Sequence, residues 1–494
     1  MKAHTALFAL AGCGKRLGQA VRPVPLAAQT IDIAWRCKRS RLSLACETAI
    51  FSSLLALLPA LAAAQNTAPP APGQPLRLGL KQAVAIALAP EGSTRVRLAE
   101  EFTRQVREQS SEARAALLPN FDASLTEESV TENLAVSGIT QAISIPGLTF
   151  PRLIGPYDIF DARIAGSQTI FDFSALRHYQ SARAGIRAAE ADRDDARDQT
   201  ATQVATLYMN AQAAVEHVEA AEADVALAEA NAKLADDRKK AGTGIAIDLT
   251  RALVELANAR QRLLVARNGL TQAHLQLLRA MGVSLDTTVE LTETLAYSPF
   301  DEVAASSAVT LALKSRADYL AQLRREDSAR LSYSAVKFQR LPSVTGFGNY
   351  GTTGLSIDNA VPTRTYGVSV KLPLFDGGRR DAQRAESASA LRQQSIRTAD
   401  LRQQVELEIR LALDALHSTA DQVKVAEEGL TQSEREVAQA QRRYAAGFAT
   451  SLETTDAQTR LERARDNRIA ALLAYNVSRV NLAQAMGAIR EVIR

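Results

Sequence analysis

This 494-residue chain offers few side chains suited to covalent chemistry. His178, His217, His274 and His417 are scattered through helical-looking sequence, with no i,i+4 pair of the kind that grips a metal. No glycine-rich phosphate loop is evident, and all three cysteines (Cys13, Cys37, Cys46) fall before residue 65. The residue types therefore assign no catalytic, metal or cofactor site. What remains is electrostatic. Two stretches, "RKKAGTGIAIDLTRA" (238–252) and "RRYAAGFATSLETTDAQ" (442–458), set bases before a glycine (Gly242, Gly447) and acids after it. The acids are Asp248 in the first and Glu453 and Asp456 in the second. Bases closing one helix and acids opening the next complement both helix dipoles. A glycine after the last turn supplies the left-handed cap that reverses the chain. Both stretches therefore read as tips of helical hairpins.

Charge narrows the class of partner. Residues 1–64 hold eight Lys/Arg and two acids, which leaves 50 basic and 52 acidic residues beyond them. A body without basic excess does not match the phosphate-neutralising surface of a nucleic-acid binder. Within 1–64, the segment "CKRSRLSLACETAIFSSLLALLPALAAAQ" has a basic flank, an apolar run and small residues before Gln65. That is the pattern of an export signal cleaved after Ala64. Leu10-Ala11-Gly12-Cys13 is a weaker lipoprotein-like match. A Pro-rich linker over 65–78 follows. No later stretch has the roughly 20 mostly apolar residues of a membrane-spanning helix.

Two copies of one unit then succeed each other, over 79–290 and 305–490, with a connector at 291–304. "ALLPNFDASL" pairs with "QRLPSVTGFG", "TIFDFS" with "PLFDGG", "KKAG" with "YAAG", and "LLRAMG" with "LAQAMG". Asp172 and Asp376 are 204 apart, Gly242 and Gly447 are 205 apart, and Pro119 and Pro342 are 223 apart. The first copy thus carries 19 additional residues between its LP and its FD, expected as a loop around 134–157. The pattern predicts, in the first copy, a helix over 79–117, strands over 120–133 and 160–172, and helices over 175–241 and 246–281. In the second copy it predicts a helix over 305–340, strands over 342–351 and 365–375, and helices over 379–446 and 450–486.

The long helices are marked by composition and period. Ala is 21 of the 67 residues over 175–241 and is the strongest helix former. Val204, Tyr208, Ala211, Val215, Val218 and Val225 follow a coiled-coil seam, which a shift of 205 carries onto Ile409, Leu413, Leu416, Ala420, Val423 and Leu430. At 1.5 Å per residue such a helix is about 100 Å long. The strands alternate. Phe121, Ala123 and Leu125 oppose Asp122, Ser124 and Thr126, and Tyr366, Val368, Val370 and Leu372 oppose Gly367, Ser369 and Lys371. One apolar and one polar face suit a membrane barrel wall. Four strands cannot close a barrel, for which about eight are needed, and open edges in lipid are costly. If the strands enter a membrane, several chains must share one barrel; three would supply twelve strands.

In these features the chain resembles the TolC-like outer-membrane efflux proteins of Gram-negative bacteria. The resemblance spans 79–490 and rests on the duplicated plan, the LP before each first strand, the "IFD" and "LFDGG" after each second strand, and "RRYAAGFATSLETTDAQTRLERARDNR". It implies a mainly α protein with a membrane β-barrel part, assembled as a homotrimer with a twelve-strand barrel in outer-membrane lipid and an α-helical tunnel across the periplasm. It implies a passive conduit opened when a periplasmic adaptor and an inner-membrane pump dock. Gly242 and Gly447 would be the adaptor-contact tips, Glu453 and Asp456 an acidic pore entrance, and Asp248 and Tyr444 closing contacts. Ala449 stands where a basic partner is sometimes found, so the closing network would be looser or latched by Arg442 or Arg443. A periplasmic adaptor, which has one hairpin set between flanking β-domains, and a soluble structural coiled coil are the alternatives. Duplication and the paired strands count against both.

Overall fold

The computed structural model describes residues 76–134, 136, 151–300 and 304–492, all within a single unit that begins at Pro70. The export-signal and lipoprotein-like segments, and residues 135 and 137–150 of the 134–157 loop, lie outside the described residues.

The first half runs β1 (Leu76–Leu78), α1 (Leu80–Leu88), α2 (Thr94–Ala115), β2 (Asn120–Asn133), β3 (Leu153–Phe171), α3 (Phe173–Lys240) and α4 (Ala246–Met281). The second runs β4 (Val289–Leu291), α5 (Ala305–Ser315), α6 (Ala317–Phe338), β5 (Ser343–Gly354), β6 (Val361–Lys371), α7 (Arg379–Ala445), α8 (Ser451–Ala485) and a last turn, α9 (Ile489–Val492). The duplication is thus realised element by element. Each long helix starts within three residues of the expected aspartate. Asp172 caps α3, its carboxylate accepting from the Ala175 amide at 3.1 Å, and Asp376 accepts from the Arg380 amide at 3.2 Å.

Four expectations need correction. The helix expected over 79–117 is two helices, interrupted at Ala89–Ser93. Pro90 lies in that break, and proline in a helix interior removes a hydrogen bond and clashes with the preceding turn. The helix expected over 305–340 breaks at Arg316, where no Pro or Gly stands. There the guanidinium turns inward to Asp318 at 2.7 Å and Glu408 at 2.5 Å, while Ser315 donates to the Met486 carbonyl at 2.7 Å. Tertiary bonds, not local propensity, bend this helix. Among the described residues the strand count rises from four to six, because Leu76–Leu78, inside the expected linker, pairs in parallel with Val289–Leu291. Finally, β3 begins at Leu153 rather than 160, and β6 covers 361–371 rather than 365–375.

Two apolar clusters form a collar midway along the helices. In the first, Val204, Tyr208 and Ala211 of α3 meet Leu277, Leu278 and Met281 of α4, Ala83 and Ala87 of α1, and Leu78. The Tyr208 hydroxyl is satisfied by the Leu78 carbonyl at 3.0 Å. In the second, Ile409, Leu413 and Leu416 of α7 meet Leu472, Tyr475 and Leu482 of α8 and Ala308 and Ala312 of α5. The rows Val204–Tyr208–Ala211 and Ile409–Leu413–Leu416 are the same seam at an offset of 205. Below Ala211 the buried line of α3 moves to Ala221, Ala228, Ala232 and Ala235, while Val215, Val218 and Val225 are only half-buried. Small side chains let the two hairpins pack closely there.

At the other end of the long helices, β2, β3, β5 and β6 form one antiparallel sheet in that order. Opposite residues share a face. Phe121, Gly166, Gly348 and Tyr366 make one row, and Ala123, Ile164, Tyr350 and Arg364 the next. The apolar face exposes Phe121, Leu125, Ile164, Tyr350, Tyr366, Val368 and Val370. The other face carries Asp122, Ser124, Asp161, Arg163, Asn349 and Lys371. Among the described residues no helix is long and apolar enough to cross a membrane. The exposed apolar face of the sheet has the character of a lipid-facing barrel wall. Beyond the Phe160–Gly354 pair, β2 and β3 continue alone as a ribbon to Asn133 and Leu153, so part of the additional length in the first copy extends the strands.

Candidate functional site

The opposite end carries the two hairpin tips, built alike. Gly242 (φ 73°) and Gly447 (φ 81°) adopt the left-handed conformation. The Gly242 amide donates to the Lys239 carbonyl at 3.1 Å and the Thr243 amide to Arg238 at 3.0 Å. Their counterparts, Gly447 to Tyr444 and Phe448 to Arg443, measure 3.0 and 2.9 Å. This pair of bonds closes the last carbonyls of a helix when the next residue can take positive φ. The next helices then start with Asp248 and Glu453 in their first turns, complementing the dipoles.

Between the tips the first hairpin grips the second. Arg238, in the last turn of α3, donates to the Tyr444 carbonyl, and its guanidinium lies 4.6 Å from the centre of the Tyr444 ring. Tyr444 is buried. Asp248 accepts a 2.6 Å hydrogen bond from the Ser451 hydroxyl, which again joins the two hairpins. Asp248 and Tyr444 are neighbours: burial raises the Tyr444 phenol pKa, the Asp248 charge adds to the rise and Arg238 opposes it. Gln441 donates to Asn231 at 3.1 Å. A cavity of about 20 Å³ lies among Asn231, Asp248, Tyr444, Ser451 and Gln458, which is about one water in size. The seam is therefore polar at the tip. Its apolar contribution is the small cluster of Val437, Ala440, Ala457 and Leu461.

The sequence-derived residues are thus brought to one end, but in different company from that expected. Arg443 pairs with Glu453 at 3.3 Å inside its own hairpin, and Arg442 is exposed. At the tip itself, the described base that crosses between hairpins is Arg238, which sequence reading missed. Asp456 is exposed one turn after Glu453. Farther from the tip, Arg262 bridges Glu255 at 2.8 Å and Glu462 at 2.5 Å, and Arg465 pairs with Asp224. Burial pushes the Glu462 carboxyl up to about 7. Arg262 opposes the rise, and Asp224, Glu255 and Asp466 add to it.

Comparison with known proteins bears on the fold and the family. The family model described as outer membrane efflux protein matches residues 86–283 and 308–488, one stretch in each half. The outer membrane protein TolC of Vibrio cholerae is 23% identical over 344 residues, covering 68% of this chain and 78% of that protein. The Campylobacter jejuni CmeC outer membrane channel matches with a TM-score of 0.71 at 19% identity, over 83% of this chain and 86% of that one. The outer membrane protein VceC of Vibrio cholerae matches with a TM-score of 0.69 at 20% identity, over 83% and 96%. With two capped tips at one end, an amphipathic sheet at the other and a family match across both halves, the chain belongs to the outer membrane efflux protein family and is an outer-membrane efflux channel.

Proposed function

We propose that three copies close their four-strand sheets into one twelve-strand barrel in the outer membrane, and that the tips form a gated periplasmic entrance. The observation that carries this reading is the sheet itself, apolar on one face and unpaired at β2 and β6. Each unpaired backbone group in lipid costs several kcal/mol, so the edges must meet other strands. Two copies would give eight strands, whose interior side chains fill. Three give twelve and leave a lumen lined by the polar face. Outer-membrane lipid then covers Phe121, Leu125, Val368 and Val370.

At the entrance, threefold repetition turns Glu453 and Asp456 into rings of negative charge that favour cations. Glu453 is partly neutralised by Arg443, so Asp456 is the stronger contributor. Arg238–Tyr444 and Asp248–Ser451 hold the two hairpins of each copy together and keep the entrance narrow. Hairpins of a periplasmic adaptor meet the tips around Gly242–Ala246 and Gly447–Ser451, and an inner-membrane pump completes the path. The function is passage rather than turnover, since the family is one of channels. The test is single-channel recording of the purified protein in planar bilayers. Cation-selective openings that lose selectivity in Glu453→Ala/Asp456→Ala support the entrance. Folded trimers whose selectivity ignores the double change remove the ring from the account.

A further inference from the structure

We infer that Arg364 and the groove beside it bind an acidic, phosphate-bearing lipid of the outer leaflet, with the headgroup on the guanidinium and an acyl chain in the groove. This inference rests on the reading of the sheet as a lipid-facing barrel wall and names the lipid that the wall selects. The grounds are an unpaired charge on the apolar face and the groove that ends at it.

Arg364 faces Tyr350 across β5 and β6, and Tyr350 faces Ile164 of β3, so all three belong to the apolar face. The same-face neighbours of Arg364 along β6 are Pro362 and Tyr366, and its diagonal neighbours on β5 are Gly348 and Thr352. None is acidic. Arg364 is exposed and makes no ion pair among the described residues. Arg163, on the polar face, is by contrast held by Asp161. Along the apolar face, acids begin only at Glu127, two rows further toward the strand ends remote from the long helices. Those helices lie in the periplasm, so these ends face outward. Arg364 is three residues inside the outer end of β6 at Val361. At about 3.3 Å per residue and a tilt of about 45°, that is about 7 Å of depth. Charged side chains are tolerated on a lipid-facing strand close to the interface rather than at the midplane. An arginine stem crosses such a depth while its guanidinium reaches the headgroups. Tyr350 and Tyr366, 65% and 81% exposed, flank it, as aromatic residues do where a barrel meets the headgroup layer.

Beside Arg364 the sheet opens into a groove of about 740 Å³. Gly346 and Gly348 of β5, with Gly166 opposite Gly348 on β3, leave its floor without side chains. Phe121, Ile164 and Ile170 rise on one side and Tyr366 on the other. Gly346 and Gly348 are successive same-face positions that lead to Tyr350, so the groove runs along β5 and ends at the Tyr350–Arg364 pair. Arg364 is the one charged residue among those that line it. The arrangement has the polarity of a lipid: a length of apolar floor, then a cation at headgroup level. A guanidinium presents paired N–H donors that match phosphate oxygens. A zwitterionic lipid brings its own cation to the phosphate and competes with Arg364 for it. A free phosphate has nothing to lay in the groove. The site therefore favours a lipid whose phosphate carries net negative charge.

The test is fluorescence quenching in the full-length chain. Trp35 is the only tryptophan, so Trp35→Phe combined with Tyr366→Trp leaves one indole, at the groove. The protein is reconstituted into mixed vesicles of phosphatidylcholine and phosphatidic acid, in which one lipid or the other carries brominated acyl chains that quench on contact. A cation at an anionic surface is worth about fivefold in affinity, so phosphatidic acid should occupy the groove about fivefold more readily than phosphatidylcholine. Arg364→Gln should abolish the preference, and Arg364→Lys should keep part of it. An excess of inorganic phosphate should leave the preference unchanged; its loss there would reveal a site for a soluble anion and overturn the lipid. Equal quenching by the two lipids with Arg364 present, or a preference that survives Arg364→Gln, would also overturn the proposal. No quenching by either lipid in folded, reconstituted protein would instead bring down the lipid-facing reading of the sheet, and the site with it.

Discussion

Arg238 ties the two hairpins together at the tip. Its guanidinium donates to a backbone carbonyl of the other hairpin and covers the Tyr444 ring. A charged hydrogen bond contributes about 1.5–3 kcal/mol, and a partly exposed cation–π contact about 0.5–1. Arg238→Ala should therefore widen the resting entrance and raise single-channel conductance or open probability several-fold, while Arg442→Ala leaves recordings unchanged. An unchanged Arg238→Ala channel would remove this latch. The acids separate in the same way. Because Glu453 is paired with Arg443 at 3.3 Å and Asp456 is exposed, Asp456→Asn should reduce cation selectivity more than Glu453→Gln, as read from reversal potentials in a salt gradient. Gly242, Gly447, Asp248 and Glu453 were legible in the sequence because capping chemistry is local. Arg238 was not, because its partner lies 206 positions away in sequence and only the packing of two hairpins brings them together.

At the scale of elements, the long helices were legible because Ala content and a seam repeated at 205 are statements about one helix and its neighbour. The break at Arg316 was invisible because its causes, Asp318, Glu408 and the carbonyl of Met486, act through the fold. The short β1–β4 pair was hidden because three residues carry no period. The tip itself depends on backbone conformation. Gly447 has φ 81°, where a Cβ costs about 1–2 kcal/mol. Gly447→Ala should speed amide exchange in the last turn of α7 and the first of α8 by about tenfold, and leave the collar around Leu413 unaffected. A second consequence concerns pH. The Glu462 carboxyl titrates near 7 in the fold, above its ordinary value of 4.5, so the folded state holds a proton that the unfolded chain has released. Stability contributed by this group is present below about 4.5 and is lost as pH rises toward and through about 7. The thermal midpoint of the protein should thus fall relative to Glu462→Gln as pH rises from about 5 to 8; a constant difference would show that Glu462 is ionised throughout.

At the scale of the whole molecule, one duplicated unit serves two ends with opposite demands. At the sheet end, the apolar face and the two open edges of β2 and β6 call for neighbours. At the tip end, a polar seam of Asn231, Gln441, Asp248 and Ser451 holds the hairpins with bonds that can be exchanged rather than a deep apolar core. The proposed conduit, fixed in the membrane and adjustable at its entrance, would need that asymmetry. Its architecture was legible because alternation, duplication and strand number together exclude a closed single-chain barrel. The number of copies is the central claim, and native mass spectrometry of the detergent-extracted protein tests it most directly. The account predicts a mass of three chains that survives dilution. A mass of one chain, or of two with eight strands and a filled interior, would contradict it.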